Sequence, residues 1–347
     1  MTSPKSIAAF GNYVATGLEK VITDAGALDD DGWWAVAQTF EGNFLGFKFS
    51  LVQTISDELL TGYMHTGIAL SSWQTSMSKT EYMNAVASIR DDISAGWVYQ
   101  TNLCRILSAK LDADFDPVGF LKLLQTHNPA PYLSALYVPQ SESGLAHDVR
   151  IASASPELFL RRNRTTIMSS PIKGTAEGAS GLLEKDRAEN VMIVDLMRND
   201  LAEVCVPGSV HVPELLRLEE HPGLVHLVSD VQGELEPDTT WASILRRIMP
   251  PGSVSGAPKS SSLEVISRLE PVNRDSYCGI IGWINQTDMT AELAVGIRTF
   301  WQSESNGERR LNFGTGAGIT WGSDPEGEWN ETELKARHLL AIASMTA

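Results

Sequence analysis

The sequence predicts an α+β protein, and three observations carry that prediction. Helical and strand-like stretches are mixed along the chain without a strict strand–helix–strand rhythm, which disfavours a doubly wound parallel sheet. Hydrophobic residues make up 43% of the 347, enough to bury a sizeable core. No internal repeat occurs, and no Pro- or Ser-rich linker is long enough to divide the chain into independent units.

The helical segments come first. TEYMNAVASIRDDISAG sets Tyr82, Val86, Ile89 and Ile93 on one stripe at helical period. EKDRAENVMIVDLMRNDL and SSLEVISRLEP behave alike, and EWNETELKARHLLAIAS reads as an amphipathic helix. Strand-like runs are AHDVRIASASPELFLRR, TTIMSSP and YCGIIGWI. Pro139 to His147 reads as a loop. Gln302 to Arg309 reads as a loop joining two strands, AELAVGIRTFW and RLNFGTGAGITW, into a hairpin. Two segments are glycine-rich: Pro250 to Glu270 reads as a loop running into a helix and Phe313 to Glu326 as a second such loop, and the backbone N–H groups at the first loop and helix start suit a carboxylate. In the first, Gly252, Gly256 and Lys259 miss the spacing of a phosphate loop.

Composition excludes several classes of function. The net charge of −16 repels phosphate backbones, so nucleic acid is not an expected partner. No stretch approaches the roughly 18 apolar residues of a membrane span. The first residues lack a basic segment followed by an apolar run, so no secretory leader is expected. Three cysteines, Cys104, Cys205 and Cys278, are too few and too irregular for a disulfide framework or a zinc site. A reducing, cytoplasmic setting is the expectation.

Several residues carry chemistry. Asp186 and Glu189, and Glu328 and Glu331, are pairs three apart, which puts each pair on one helix face. If the pairs converge, they form an all-oxygen site suited to Mg²⁺. Lys173 follows the strand-like run TTIMSSP and opens a turn, and a lysine held neutral there is a nucleophile. Glu157 lies among apolar neighbours in SASPELFL, where a carboxyl stays protonated and can act as a general acid. Arg298 interrupts an apolar strand and needs an anionic partner, from the protein or from a substrate. His226 sits between two apolar pairs.

Taken in order, SPELFL, PIKGT, AENVMIVDLMRNDL, HLVSDV, GSVSGAPKSSSLEVI, YCGIIGWI, GIRT, GAGI and SDPEGEWNETELKA resemble the chorismate-utilising enzymes. The resemblance is strongest from about Ile151 to Leu340 and weaker from Lys79 to Tyr137. It implies one large α+β unit of long antiparallel sheets packed face to face with helices outside. Residues 1–75 would form a short divergent part of that fold and residues 76–347 the chorismate-binding catalytic region. The family's longer N-terminal region, which can hold a tryptophan site, is short here and lacks its LLES-type motif.

The resemblance also implies roles. Glu189 and Glu331 match Mg²⁺ ligands, with Asp186 and Glu328 supporting them through waters; the family usually has Glu where Asp186 stands. Arg298 and Tyr277 match residues holding the enolpyruvyl carboxylate, helped by backbone amides near Gly316 and Gly318. Thr175 and Lys335 match positions near the ring carboxylate and the metal, and His226 and Ser253 match polar groups close to the ring.

Two positions sort the branches of the family. Members that add water to chorismate carry a general-base lysine where this chain has Gln100, and glutamine cannot deprotonate water. Anthranilate synthases have alanine in the PI-x-GT motif, whereas Lys173 resembles the aminodeoxychorismate branch. The implied reaction is amination of chorismate to 4-amino-4-deoxychorismate, on the p-aminobenzoate route, through a covalent bond to Lys173. None of the cysteines lies in a G-x-C-x-G turn, so ammonia is expected from a separate glutamine amidotransferase subunit. An anthranilate synthase component and a non-catalytic chorismate-binding relative are the competing readings.

Overall fold

The computed structural model describes residues 5–56, 59–176, 184–221 and 224–346. In chain order these form strands β1 (Ile7–Phe10), β2 (Tyr13–Ile22), β3 (Trp33–Gln38), β4 (Phe44–Thr54) and β5 (Gln74–Thr75), helix α1 (Lys79–Ser94) and strand β6 (Gln100–Lys110). Next come α2 (Pro117–His127), β7 (Tyr132–Val138), α3 (Gln140–Ser143), β8 (Val149–Ser155), β9 (Leu158–Asn163), β10 (Thr166–Ser170) and β11 (Ile172–Ala176). Then follow α4 (Glu184–Ala202), β12 (His211–His221), β13 (Leu224–Glu234), α5 (Trp241–Ile248), α6 (Gly252–Ser255), β14 (Gly256–Ala257) and α7 (Lys259–Leu269). The last elements are β15 (Ile280–Asn285), β16 (Thr290–Val295), β17 (Thr299–Ser305), β18 (Glu308–Ile319) and α8 (Pro325–Ala343).

Pairing is antiparallel throughout. The ladder runs β6, β18, β17, β8, β7, β1, β2, β4, β3, β15, β16, β9, β10, β13, β12. The short β5 and β14 flank β6, and β11 lies along β13. Ile106 of β6 and Val231 of β13, from far-separated strands, share one buried cluster with Phe47, Ile151, Leu160 and Leu293. The sheet is therefore closed over on itself, so that two faces meet and bury their apolar side chains. The α+β class with opposed antiparallel sheets is the observed one. The N-terminal strands belong to it, because β1 bonds to β7 and β3 to β15.

The four long helical readings correspond to α1, α4, α7 and α8. Ser78 and Glu81 form a reciprocal capping box at the start of α1, which buries Tyr82, Val86 and Ile89. Asp324 caps α8 through the Gly327 N–H, and Pro325 pre-sets the first turn.

Four local readings need correction. The run from Ala146 to Arg162 is two strands, split at Pro156 and Glu157, because proline cannot donate to the ladder. The loop at Gln302–Arg309 contracts to a turn at Asn306 and Gly307, both at positive φ (52° and 74°), as a tight hairpin requires. The loop at Pro139–His147 contains the short α3. The second glycine-rich segment is strand through Ile319, since β18 pairs with β6 from Arg310 to Ile319. Its glycines serve close approach rather than turning. A Cβ on Gly314 would lie 2.0 Å from the Tyr277 ring, and one on Gly316 2.6 Å from Cys104 Sγ.

Gly314→Ala should therefore lower the urea midpoint, with a loss of about 1–3 kcal/mol or more from forced displacement of Tyr277. Equilibrium unfolding of the purified variant measures this, and an unchanged midpoint would contradict the close packing.

Candidate active site

The break between β8 and β9 sets Glu157 in the interior. Its N–H donates to Ser155 Oγ, and its carbonyl accepts from the Val295 N–H, so the backbone is fixed on both sides. The side chain is buried. Burial, partly offset by Ser253 and Lys173, pushes its carboxyl up to about 7. Ser253 faces the carboxyl closely enough to favour the charged form, although its Oγ makes no hydrogen bond of ordinary geometry.

Lys173 lies in β11, not at the start of a loop as the sequence suggested. Pro171 interrupts the strand before it, and the register against β13 shifts between Ile172 and Thr175. That irregularity frees the lysine from strict alternation. Burial lowers the pKa of its amine, and Lys335 lowers it further; Glu189, Glu157 and Glu331 oppose the shift. Among the described residues the neighbouring cation that adds to the lowering is Lys335. Glu157, Lys173, Glu189, Glu331 and Lys335, from β11, α4, α8 and a strand junction, act within one electrostatic neighbourhood.

The carboxylates come from two helices. On α4, the side chain of Asn190 donates to the Leu227 carbonyl at 3.1 Å and accepts from Ser229 Oγ at 2.5 Å. Those bonds fix the helix on β13 and so place Glu189 beside Lys173. On α8, Glu328 is buried and acts on Tyr82, while Glu331 acts on both Tyr82 and Lys173. Lys335 bonds Glu331 at 2.6 Å and the Gly316 carbonyl at 3.0 Å. The donor set is all oxygen, which suits a hard cation such as Mg²⁺. Among the described residues no group of three or more His, Cys, Asp or Glu side chains is placed to hold a metal ion. The side chains of Thr175 and Asp186 lie outside the described residues.

Arg298 holds the left-handed conformation, φ 52°, between β16 and β17. Its side chain is half-buried, and burial alone lowers its pKa. Among the described residues it has no carboxylate partner, and none of them compensates its charge. Tyr277 is buried, its ring against Gly314 of β18, two residues from Gly316. Gln100 at the start of β6 is fully buried; neither amide atom has a hydrogen-bond partner, and its Nε2 lies over Gly318. His226 is buried on β13, in register with Thr175 on β11 and Glu219 on β12.

Sequence reasoning missed the groups that hold Ser253. Asn102 Nδ2 donates to the Ser253 carbonyl at 2.9 Å, and Arg274 donates to the Val254 carbonyl at 2.8 Å. Arg274 is itself held by Glu270, a buried pair four residues apart on the chain and so visible as a spacing signal. Lys259 bonds Asp200 at 2.7 Å and the Ile248 carbonyl at 3.0 Å, which occupies it structurally rather than with phosphate. No comparable sequence signal marks Asn102.

An antiparallel sheet closed on itself thus brings together a buried acid, a half-buried amine and carboxylates from two helices. Residues 56–341 match the chorismate binding enzyme family, and the chain belongs to it. It is 36% identical over 283 residues to aminodeoxychorismate synthase component 1 of Salmonella typhimurium, covering 78% of this chain and 59% of that protein. It is 37% identical over 305 residues to anthranilate synthase component 1 of Synechocystis, covering 82% of this chain and 57% of that protein. The chain thus spans under three fifths of the length of these relatives. Anthranilate synthase component I of Streptococcus pneumoniae has the same fold, at a TM-score of 0.77 and 21% identity, over 98% of this chain and 93% of that one. No helix among the described residues is long and apolar enough to cross a membrane.

The raised carboxyl of Glu157 has a consequence for stability. Its native pKa of about 7 exceeds the ordinary value of 4.5, so the folded state holds the proton more tightly. The stability it contributes is complete below about pH 4.5 and is lost as pH rises through 7. Glu157→Gln, which cannot ionise, should leave stability nearly unchanged at pH 4.5 and raise it relative to the parent at pH 8, in denaturant titrations at both pH values.

Proposed function

We propose that this chain aminates chorismate at C4 to give 4-amino-4-deoxychorismate. The observation that carries the reading is the mutual placement of Glu157 and Lys173, the carboxyl pushed up and the amine pushed down. Their shifts favour the two forms the reaction needs, a protonated acid and a neutral amine.

In the first step the Lys173 lone pair bonds to ring C2. The two ring double bonds shift, the C4–O bond breaks, and the hydroxyl leaves as water with the Glu157 proton. In the second step ammonia bonds to C4, the double bonds shift back, and the C2–N bond breaks to return the amine of Lys173. The Glu157 carboxylate then takes a proton from the new C4 ammonium, which restores both groups. Arg298, with its uncompensated charge, holds a substrate carboxylate beside Tyr277. Glu189 and Glu331 would hold Mg²⁺, with Glu328 on the same face of α8, and the ion would supply positive charge for the other carboxylate. His226 and Lys335 face the ring in this reading. Gln100 cannot act as a base, which favours ammonia over water as nucleophile. Ammonia is expected from a separate glutamine amidotransferase subunit.

The identity to an anthranilate synthase component keeps that product as the second reading. Lys173 argues against it, because that reaction needs no amine at this position.

The test supplies chorismate, Mg²⁺ and an ammonium salt to the purified chain and separates products chromatographically. Aminodeoxychorismate is expected; anthranilate would transfer the chain to the second reading. Lys173→Ala should lower kcat by at least ~100-fold. With ammonia withheld, mass spectrometry should find the substrate-derived adduct on the tryptic peptide containing Lys173, and full activity of the alanine variant would refute the covalent route.

A further inference from the structure

The face of α8 that carries the acids is set by a buried cation on a neighbouring strand. Arg105 of β6 is almost fully buried, and no part of the proposed chemistry uses it. Its Nε donates to Thr332 Oγ1 at 3.1 Å, one Nη to Thr75 Oγ1 at 3.1 Å, and the other to Glu333. The guanidinium plane lies 4.2 Å over the Trp329 ring. Trp329, Thr332 and Glu333 are interleaved with Glu328 and Glu331 on the same two turns of helix. A second bond from the sheet reaches the same turn, where Thr315 Oγ1 donates to the Thr332 carbonyl at 3.0 Å.

A helix is free to roll about its axis unless side chains on one flank are gripped. One residue corresponds to about 100° of rotation, so a small roll swings a carboxylate out of reach of a shared ion. Two donors of a rigid fork and a stacked ring oppose that roll at three residues of α8 at once, while the third donor ties the guanidinium to Thr75. Lysine has no such fork. We propose that Arg105 is a positioning residue that fixes the roll of α8 and thereby the affinity of Glu331 for a divalent cation.

This inference rests on the reading of Glu189 and Glu331 as cation ligands. The test is isothermal titration of the purified full chain with MgCl₂ in the absence of chorismate, for the parent, Arg105→Lys and Thr332→Val, with circular dichroism to establish folding. Loss of groups that orient a metal ligand typically weakens metal affinity about 10–100-fold. Arg105→Lys should raise the Kd for Mg²⁺ at least ~10-fold, and Thr332→Val, which removes one of the three acceptors, roughly 3-fold. The KM for chorismate at saturating Mg²⁺ should change less than ~2-fold, a split that general loosening of the fold would not produce. If Arg105→Lys does not fold, Thr332→Val decides. Folded variants that bind Mg²⁺ as tightly as the parent would overturn the inference alone. A parent chain that binds no Mg²⁺ would overturn the cation reading and this inference together.

Discussion

The site depends on withholding water from one carboxyl and one amine at the same time. Burial destabilises the charge on each, while their proximity stabilises the ion pair. Here burial is the largest influence on both, and it raises the carboxyl's pKa and lowers the amine's. The interruption between β8 and β9 and the register shift in β11 bring the two side chains inward where regular pleating would alternate them. The rest of the architecture serves to keep those two irregularities in place.

Around that pair the charges are arranged in tiers. Lys335 pairs with Glu331 and also presses on Lys173, so one ammonium affects both the proposed cation ligand and the proposed nucleophile. Arg298 stands apart from these acids, which leaves its charge available to an anion. An acidic chain needs such local concentrations of positive charge to attract any anion against its general field.

Much of this was legible in the amino-acid order. The helical stripes of α1, α4, α7 and α8 follow from their period, and the acidic pairs three apart do fall on α4 and α8. The antiparallel, closed arrangement of the sheet was not visible in periodicity, because strand order depends on pairings between distant segments; the family resemblance supplied it. The glycines of β18 misled, since glycine signals a turn as readily as a place where a neighbour touches backbone. Tyr277 and Cys104 press on that strand, and only the fold reveals them. Arg105 and Asn102 were equally hidden, because a buried polar residue inside an apolar strand announces nothing about its partner. The charges of Glu157 and Lys173 could be suspected from composition nearby, but the field each exerts on the other required the folded chain.

The pairing of β6 with β18 joins segments about two hundred residues apart, Thr101 lying opposite Ile319. Loop closure over such a span is slow relative to local structure formation. While the ribosome is still synthesising the chain, β6 has neither this strand nor α8 to cover it, and its apolar side chains and open hydrogen-bonding edge face solvent. Synthesis therefore passes through a vulnerable interval that ends only once β18 and α8 have both emerged. Chaperone occupancy and losses to aggregation should concentrate in that interval.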